Sequence, residues 1–191
     1  MLKELIKKNR SYRRFYQDER IDKKSLIKLI DLARLSSSGR NIQALKYILS
    51  YDAKTNEEVF ENLRWAGYLK YWNGPEEGEK PSAYIIMLLD HELAEGCYWD
   101  HGIAAQSILL GAVEMGLGGC MFGSIDKENL REKLKIDSRY KIKMVIALGK
   151  PKENIMLDEV GEDGDIKYWR DEHNNHHVPK RKLKDLIIDS E

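Results

Sequence analysis

Residues 99–115, WDHGIAAQSILLGAVEM, decide the architecture. Ala104, Ala105, Ile108, Leu109, Ala112 and Val113 recur at helical spacing and cover a wide arc. A helix apolar over so broad an arc is central and largely buried. It stops at Gly116. Outward from it, AYIIMLL (83–89) and KIKMVIALG (141–149) are apolar runs of strand length, read as buried strands. A strand near Cys120–Gly123 and a helix capped by Asp126 lie between the second run and the central helix. Towards the N-terminus, LKELIKKN opens a short helix, and Asp22 caps another with Leu26, Ile30 and Ala33 on one face. LKYILSY (45–51) reads as a strand. Thr55 and Glu58 form a capping box for a third helix expected to run through about Leu69. Gly74, Pro75, Gly78 and Pro81 make 71–82 a loop, and the chain after 149 is expected to be loop until a basic tail. Mixed helices and strands of these lengths build layers of helices on a sheet.

The chain has 191 residues and 42% hydrophobic side chains, enough for one domain with a sizeable core. With 32 basic and 32 acidic residues the net charge is zero, so neither nucleic acid nor an anionic membrane is expected as partner. Any anion site must be local, and residues 1–40 hold 12 Lys/Arg against 5 Asp/Glu. Cys97 and Cys120 are too few for a disulfide framework and match no zinc spacing, which points to a reduced, cytoplasmic chain. No apolar run reaches the roughly 20 residues that span a bilayer.

Four polar clusters carry candidate chemistry. In NRSYRRF (9–15), Arg10 and Arg13 are three apart and share one side of a helical turn, with Ser11 as a neutral donor. Forked guanidinium donors suit phosphate oxygens; a solvated basic face explains the same residues. In SSSGRNIQ (36–43), Ser and Gly make a turn, and Asn41 and Gln43 offer donors and acceptors to a heterocycle edge; a plain connection is the alternative. GLGGCMFGS (116–124) is no dinucleotide fingerprint, since Met121 stands where GxGxxG needs glycine. Its glycines let backbone approach another flat group, or simply turn tightly. In VPKRKLKDL (178–186), Lys180, Arg181 and Lys182 form a second basic cluster that could converge with the first on one phosphate, or fray as a basic tail. His173, His176 and His177 have no carboxylate or cysteine at ligand spacing and read as an exposed polar loop. His101, near the start of the central helix, is read as a helix-terminal hydrogen-bonding group. No GxSxG and no Ser–His–Asp order is present.

Taken in order, these clusters resemble the FMN-dependent nitroreductase family over nearly the whole chain. NRSYRRF is similar to its opening phosphate motif, SSSGRNIQ to its Pro-Ser-x-x-Asn-x-Gln segment, and DHGIAAQSILLGAVEMGLGGC (100–120) to its interface helix and Gly-Leu-Gly turn. IALGKP (146–151) resembles its strand-to-loop Gly-x-Pro, and PKRKL its closing basic motif. Asn9 stands where the family has Arg, and Ser37 and Ala44 where Pro is common.

The resemblance implies an α+β fold, a three-layer α/β/α sandwich with a mixed, mostly antiparallel sheet, in an intertwined homodimer with FMN at the interface. The chain would be a single domain, 1–191, whose segment 178–191 reaches the partner. Arg10, Ser11, Tyr12 and Arg13 would hold the phosphate with Lys180, Arg181 and Lys182. Ser38, Asn41 and Gln43 would contact the ring edge or ribityl chain, and Gly118 and Gly119 would bring backbone near the flavin. NADH or NADPH would donate electrons and a nitro compound, quinone or similar small acceptor would take them, in a ping-pong cycle without a catalytic side chain or a metal. Dehalogenation, dehydrogenation or flavin fragmentation on the same scaffold, or flavin binding without catalysis, are the alternatives. Trp65, Tyr68 and Trp72 in the glycine-punctuated stretch 65–81 are expected to form a lid over the ring, with packing on the core as the alternative.

Overall fold

The strand predicted at 83–89 is Ala83–Asp90 (β3), and every residue in it is buried. A strand buried at every position must be covered on both sides, and the rest of the fold supplies the two covers. In the computed structural model, which describes residues 1–188, the chain divides into two compact units. The first comprises Met1–Arg64 and Pro75–Lys152; the second comprises Trp65–Gly74 and the chain after Lys152. Residues 189–191 of the segment expected to reach a partner lie outside the described residues.

In the first unit, helix α1 (Leu2–Lys8) and the two-residue strand β1 (Phe15–Tyr16) precede α2 (Lys23–Leu35). Strand β2 (Leu45–Ser50), helix α3 (Ala53–Phe60), β3, α4 (Asp100–Glu114), β4 (Gly118–Phe122), α5 (Lys127–Lys133) and β5 (Tyr140–Pro151) follow. The sheet runs β1-β5-β3-β2 with β4 also on β5, and every ladder is antiparallel. Ile85, Met87, Ile146 and Leu148 pack with Leu26, Leu29 and Ala33 of α2 and Ala104, Ala105, Ile108 and Leu109 of α4. By alternation Tyr84 faces the other side, where α3 lies, so the unit has three layers, as the resemblance implies.

The central helix ends where expected, because Gly116 takes φ +73, a conformation that suits glycine. Asp22 and Asp126 cap their helices by accepting from Ser25 N and Asn129 N. On α2 Leu26, Ile30 and Ala33 do share the core face, with Ile30 partly buried, and Leu29 joins them fully buried. The third helix also differs. Its cap is Asp52, which accepts from Thr55 N, and it ends at Phe60, not near 69. Beyond Phe60 the backbone has other partners: Leu63 bridges Ile125, Asn62 O accepts from Asp126 N at 2.9 Å, and Arg64 N donates to Ser124 O at 3.1 Å.

The second unit contains a three-stranded sheet where loop was expected. Strand β6 (Ile155–Glu159) pairs parallel with β8 (His176–Lys180), and β7 (Trp169–Arg170) pairs antiparallel with β8. The histidines there are not an exposed loop. His176 is fully buried, and His177 stacks on Trp169 while its Nδ1 meets Asp158 at 2.7 Å. Only His173 lies exposed. Among the described residues no group of His, Cys, Asp and Glu could hold a metal, and no helix is long and apolar enough to cross a membrane.

Candidate functional site

The first basic cluster is a segment laid against β4. Tyr12 N donates to Gly119 O at 3.1 Å, and Ser11 bridges Gly119 in parallel register. Two fixings hold it from behind. Arg14 grips Glu79 with Nε and Nη2 at 2.5 and 2.6 Å, and Lys152 joins the same carboxylate at 3.0 Å. These bonds, Arg14's first, pull the Glu79 carboxyl down to about 2. Tyr12 Oη donates to Lys8 O at 3.0 Å.

On this frame Arg13 is buried and its Nη1 donates to Ser11 O at 3.2 Å. Arg10 Nη2 donates to Ile6 O at 2.8 Å, while its buried Nε has no hydrogen-bond partner among the described residues. Burial holds the Arg10 guanidinium below its ordinary range. A partly buried cation with an unanswered donor suits an anionic ligand, because leaving such a donor unpaired is costly. Ser11, beside it, is exposed.

The glycines of the third cluster have work inside the protein. A Cβ on Gly118 would stand 2.5 Å from the Tyr12 ring and 2.7 Å from Pro151. One on Gly119 would stand 2.5 Å from Ala147 O and 2.7 Å from Leu109 Cδ2. Backbone does approach a flat group here, and that group is the ring of Tyr12.

The second cluster forms a turn with unusual backbone. Ser38 precedes a 3-10 turn at Gly39–Asn41, and Arg40, Asn41 and Gln43 have φ of 53, 57 and 56. Left-handed conformations at residues other than glycine cost energy and collect at functional sites. Asn41 and Gln43 are exposed and pair with each other, Gln43 Nε2 to Asn41 Oδ1 at 3.1 Å. The turn is tied to the start of α4, where Asp100 Oδ2 accepts from Ser38 Oγ at 2.7 Å and Oδ1 from Gly39 N at 2.9 Å. Sequence reasoning missed Asp100, since an acidic residue in the first turn of a helix is already explained by the helix dipole.

Both segments lie along α4. Asn9 Nδ2 donates to Gln106 Oε1 at 3.3 Å, six residues beyond Asp100, or roughly 9 Å along the helix axis. The first three clusters are thus brought together on the first unit. His101, instead of a helix-end backbone group, meets Cys97 Sγ at 3.4 Å through Nδ1.

Lys180, Arg181 and Lys182 belong to the second unit, all exposed, with Lys180 closing β8 opposite Glu159. Of the aromatics at 65–81, Trp65 and Trp72 meet edge to face at 6.2 Å. Arg170 lies 4.3 Å over the Trp72 ring, and Tyr68 stacks obliquely on Tyr168 at 4.9 Å.

Comparison with known proteins adds to this geometry. Residues 6–150 match the model of the nitroreductase family, so the closing basic motif lies beyond the matched span. The chain is 23% identical to an iodotyrosine deiodinase of Thermotoga neapolitana, across 79% of this chain and 89% of that one. It is 26% identical to the solved structure of an FMN-dependent nitroreductase from Clostridium difficile R20291, with a TM-score of 0.63 over 78% of this chain and 87% of that one. The NADPH:FMN oxidoreductase of Vibrio harveyi, solved with NAD+, shares the fold at 23% identity, with a TM-score of 0.62 over 78% and 68% of the two chains.

Proposed function

The chain belongs to the nitroreductase family, and from that premise we propose that it is a homodimeric FMN-dependent oxidoreductase that passes electrons from NADH or NADPH to a small acceptor such as a nitro compound or quinone. The observation that carries this reading is Arg10, a partly buried guanidinium whose Nε has no hydrogen-bond partner among the described residues, set beside buried Arg13 on a segment fixed to β4. These residues fit the phosphate of FMN. Ser11 and Tyr12 complete that end, and Lys180, Arg181 and Lys182 are proposed to join it. Ser38, Asn41 and Gln43 would meet the ring edge or ribityl chain from their strained turn, with the backbone of Gly118 and Gly119 alongside.

Bound FMN supplies the two-electron chemistry at its ring, so donor and acceptor would use one place in turn, a ping-pong cycle. The chain's own residues bind, orient and screen. Arg10 and Arg13 neutralise the phosphate. Asn41 and Gln43 present paired donors and acceptors with little left to reorganise. Trp65, Tyr68 and Trp72 are proposed to shape which acceptors enter.

Exposed apolar side chains support the dimer. In the first unit these include Leu2, Ile6, Leu35, Trp99 and Ile103, and in the second Leu183, Leu186, Ile187 and Ile188. Side chains of this kind are what an association surface would bury. A second reading, reductive dehalogenation on the same scaffold, is favoured by the relative described as a deiodinase, so iodotyrosine belongs beside a nitroaromatic and a quinone in the acceptor assay.

The test is flavin titration. Wild-type protein should take one FMN per subunit. Arg10→Ala should weaken FMN binding by about 1.5–3 kcal/mol, the scale of a hydrogen bond to a charged group, and leave riboflavin nearly untouched. Equal losses for FMN and riboflavin would show that the phosphate sits elsewhere.

A further inference from the structure

We propose that Asp100 is a positioning residue for the flavin: its carboxylate holds the Ser38–Gln43 turn in the conformation that presents Asn41 and Gln43 to the ring end of the cofactor. This inference rests on the FMN reading above.

Three bonds make a closed clasp. Asp100 Oδ2 accepts from Ser38 Oγ at 2.7 Å, and Oδ1 accepts from Gly39 N at 2.9 Å. Ser38 Oγ in turn accepts from Gln43 N at 3.0 Å. Carboxylate, hydroxyl and amide therefore join both ends of the turn to one side chain. That side chain is buried, with 9% of its surface exposed, so water competes weakly for its oxygens.

The turn needs such a clasp. Arg40, Asn41 and Gln43 all carry φ between 53 and 57. A free peptide of this sequence would relax to negative φ, and the strain persists only where surrounding bonds over-determine it. The local alternatives are weak. Among the described residues the Gln43 side chain reaches only Asn41, at 3.3 Å to O and 3.1 Å to Oδ1, which is within the turn itself. The turn's own 3-10 pairing, Asn41 N to Ser38 O at 2.9 Å and Ile42 N to Gly39 O at 3.2 Å, starts from the two residues that Asp100 grips, and the chain beyond it is held where Ala44 O accepts from Asp90 N at 2.9 Å.

Asp100 is spent on the turn and not on its own helix. Residue 99, the N-cap of α4, makes no side-chain capping bond, and both oxygens of Asp100 go to residues about sixty positions earlier. Its charge is felt in the adjoining cavity of about 210 Å3, lined by Ser38, Gln43, Leu45, Tyr47 and Ala104. There burial first, and Asp100 second, push the Tyr47 phenol up to about 12, so this neighbour stays neutral and does not compete for charge. Asn at position 100 could rebuild both bonds, its oxygen accepting from Gly39 N and its amide nitrogen donating to Ser38 Oγ, whereas Ala at position 100 removes both.

The experiment compares FMN and riboflavin on wild-type and Asp100→Ala protein, with the visible circular dichroism of the bound flavin as second readout. Losing the clasp should weaken both ligands alike, on the order of tenfold or more, as expected for a hydrogen bond to a charged acceptor, and should change the dichroic band of what still binds. This pattern differs from that of Arg10→Ala, which spares riboflavin. Should Asp100→Ala fail to fold, Ser38→Ala carries the same comparison, since it cuts the link to Gln43 and leaves the bond to Gly39. Wild-type protein that binds no flavin overturns the FMN reading and this inference with it. Wild-type protein that binds both flavins, beside a variant that keeps both with an unchanged band or loses FMN alone, overturns the inference and leaves the FMN reading standing.

Discussion

Gly119→Ala separates two reasons for a glycine beside a candidate flavin. If the residue is small so that the cofactor can approach, a methyl group should spare the flavin-free protein and harm binding. The structure points to the other reason. Gly119 pairs with Leu148 across the β4–β5 ladder, and an added Cβ would lie 2.5 Å from Ala147 O, 2.7 Å from Leu109 Cδ2 and 3.0 Å from Leu148 Cδ2. The leucine methyls can turn aside in part. The carbonyl of Ala147 cannot, because it belongs to the strand that β4 pairs with, so the ladder itself must part. Overpacking of this kind costs about 1–3 kcal/mol, and a fixed backbone obstacle puts the expectation at the upper end, about 2–3 kcal/mol. At about 2–4 °C per kcal/mol for a chain of this size, the melting temperature should fall by about 4–12 °C.

The assay is urea unfolding of flavin-free protein. The midpoint should fall with the slope unchanged, the signature of lost stability without a change in the surface exposed. Some loss of FMN affinity should accompany it, because Gly119 O accepts from Tyr12 N in the middle of the Arg10–Arg13 segment. The reasoning is refuted if flavin-free Gly119→Ala unfolds at the wild-type urea concentration while FMN affinity collapses.

Two further outcomes are expected. The Glu79 carboxyl titrates at about 2, below its ordinary 4.5, so its stabilisation is complete above pH 4.5 and disappears as pH falls towards 2; Glu79→Gln should lower the melting temperature at pH 7 and flatten the acid limb of its pH profile, and parallel profiles for the two proteins would refute it. Trp72→Ala, which removes the ring under Arg170 and beside Trp65, should change the rate ratio between a small nitroaromatic and a bulky quinone more than it changes FMN affinity; an unchanged ratio with a lowered melting temperature would make these aromatics packing alone.

The elements legible in the sequence are those whose burial is decided locally. Ala83–Asp90 is apolar at nearly every position and is covered on both faces, and α4 is apolar over most of its circumference. Neither needs knowledge of its partner to be recognised. The third helix shows the opposite case. Both Asp52 and Thr55 can cap, and the chain takes the earlier one; the helix then stops at Phe60 because the backbone after it pairs with residues near 125. That competition is won by a contact more than sixty residues away. The three strands of the second unit were illegible for a related reason. They are short and carry Asp, His and Pro in place of an alternating apolar pattern. Side-chain bonds stand in for that pattern: His177 between Asp158 and Asp171, and Asp171 with Asn175.

At the candidate site, legibility follows how many explanations a residue type allows. Arg10 and Arg13 with Ser11 suit a phosphate but equally a solvated basic face, and what separates the two is the buried Nε of Arg10, which only the fold shows. Gly118 and Gly119 are points of close approach, but a glycine says nothing of what approaches, and here Tyr12, Leu109 and a carbonyl fill the space. Asp100 is the extreme case. An acid at the start of a helix has a sufficient local explanation, so nothing in the string of letters asks for a second one. Its bonds to Ser38 and Gly39 exist only once α2 and α4 pack and bring the end of one beside the start of the other. Gly111 allows that approach, since a Cβ there would collide with Leu32 of α2. The strained turn thus depends on helix packing, through a carboxylate that the packing delivers, and a loop motif of this kind carries its geometry in residues that lie outside the motif.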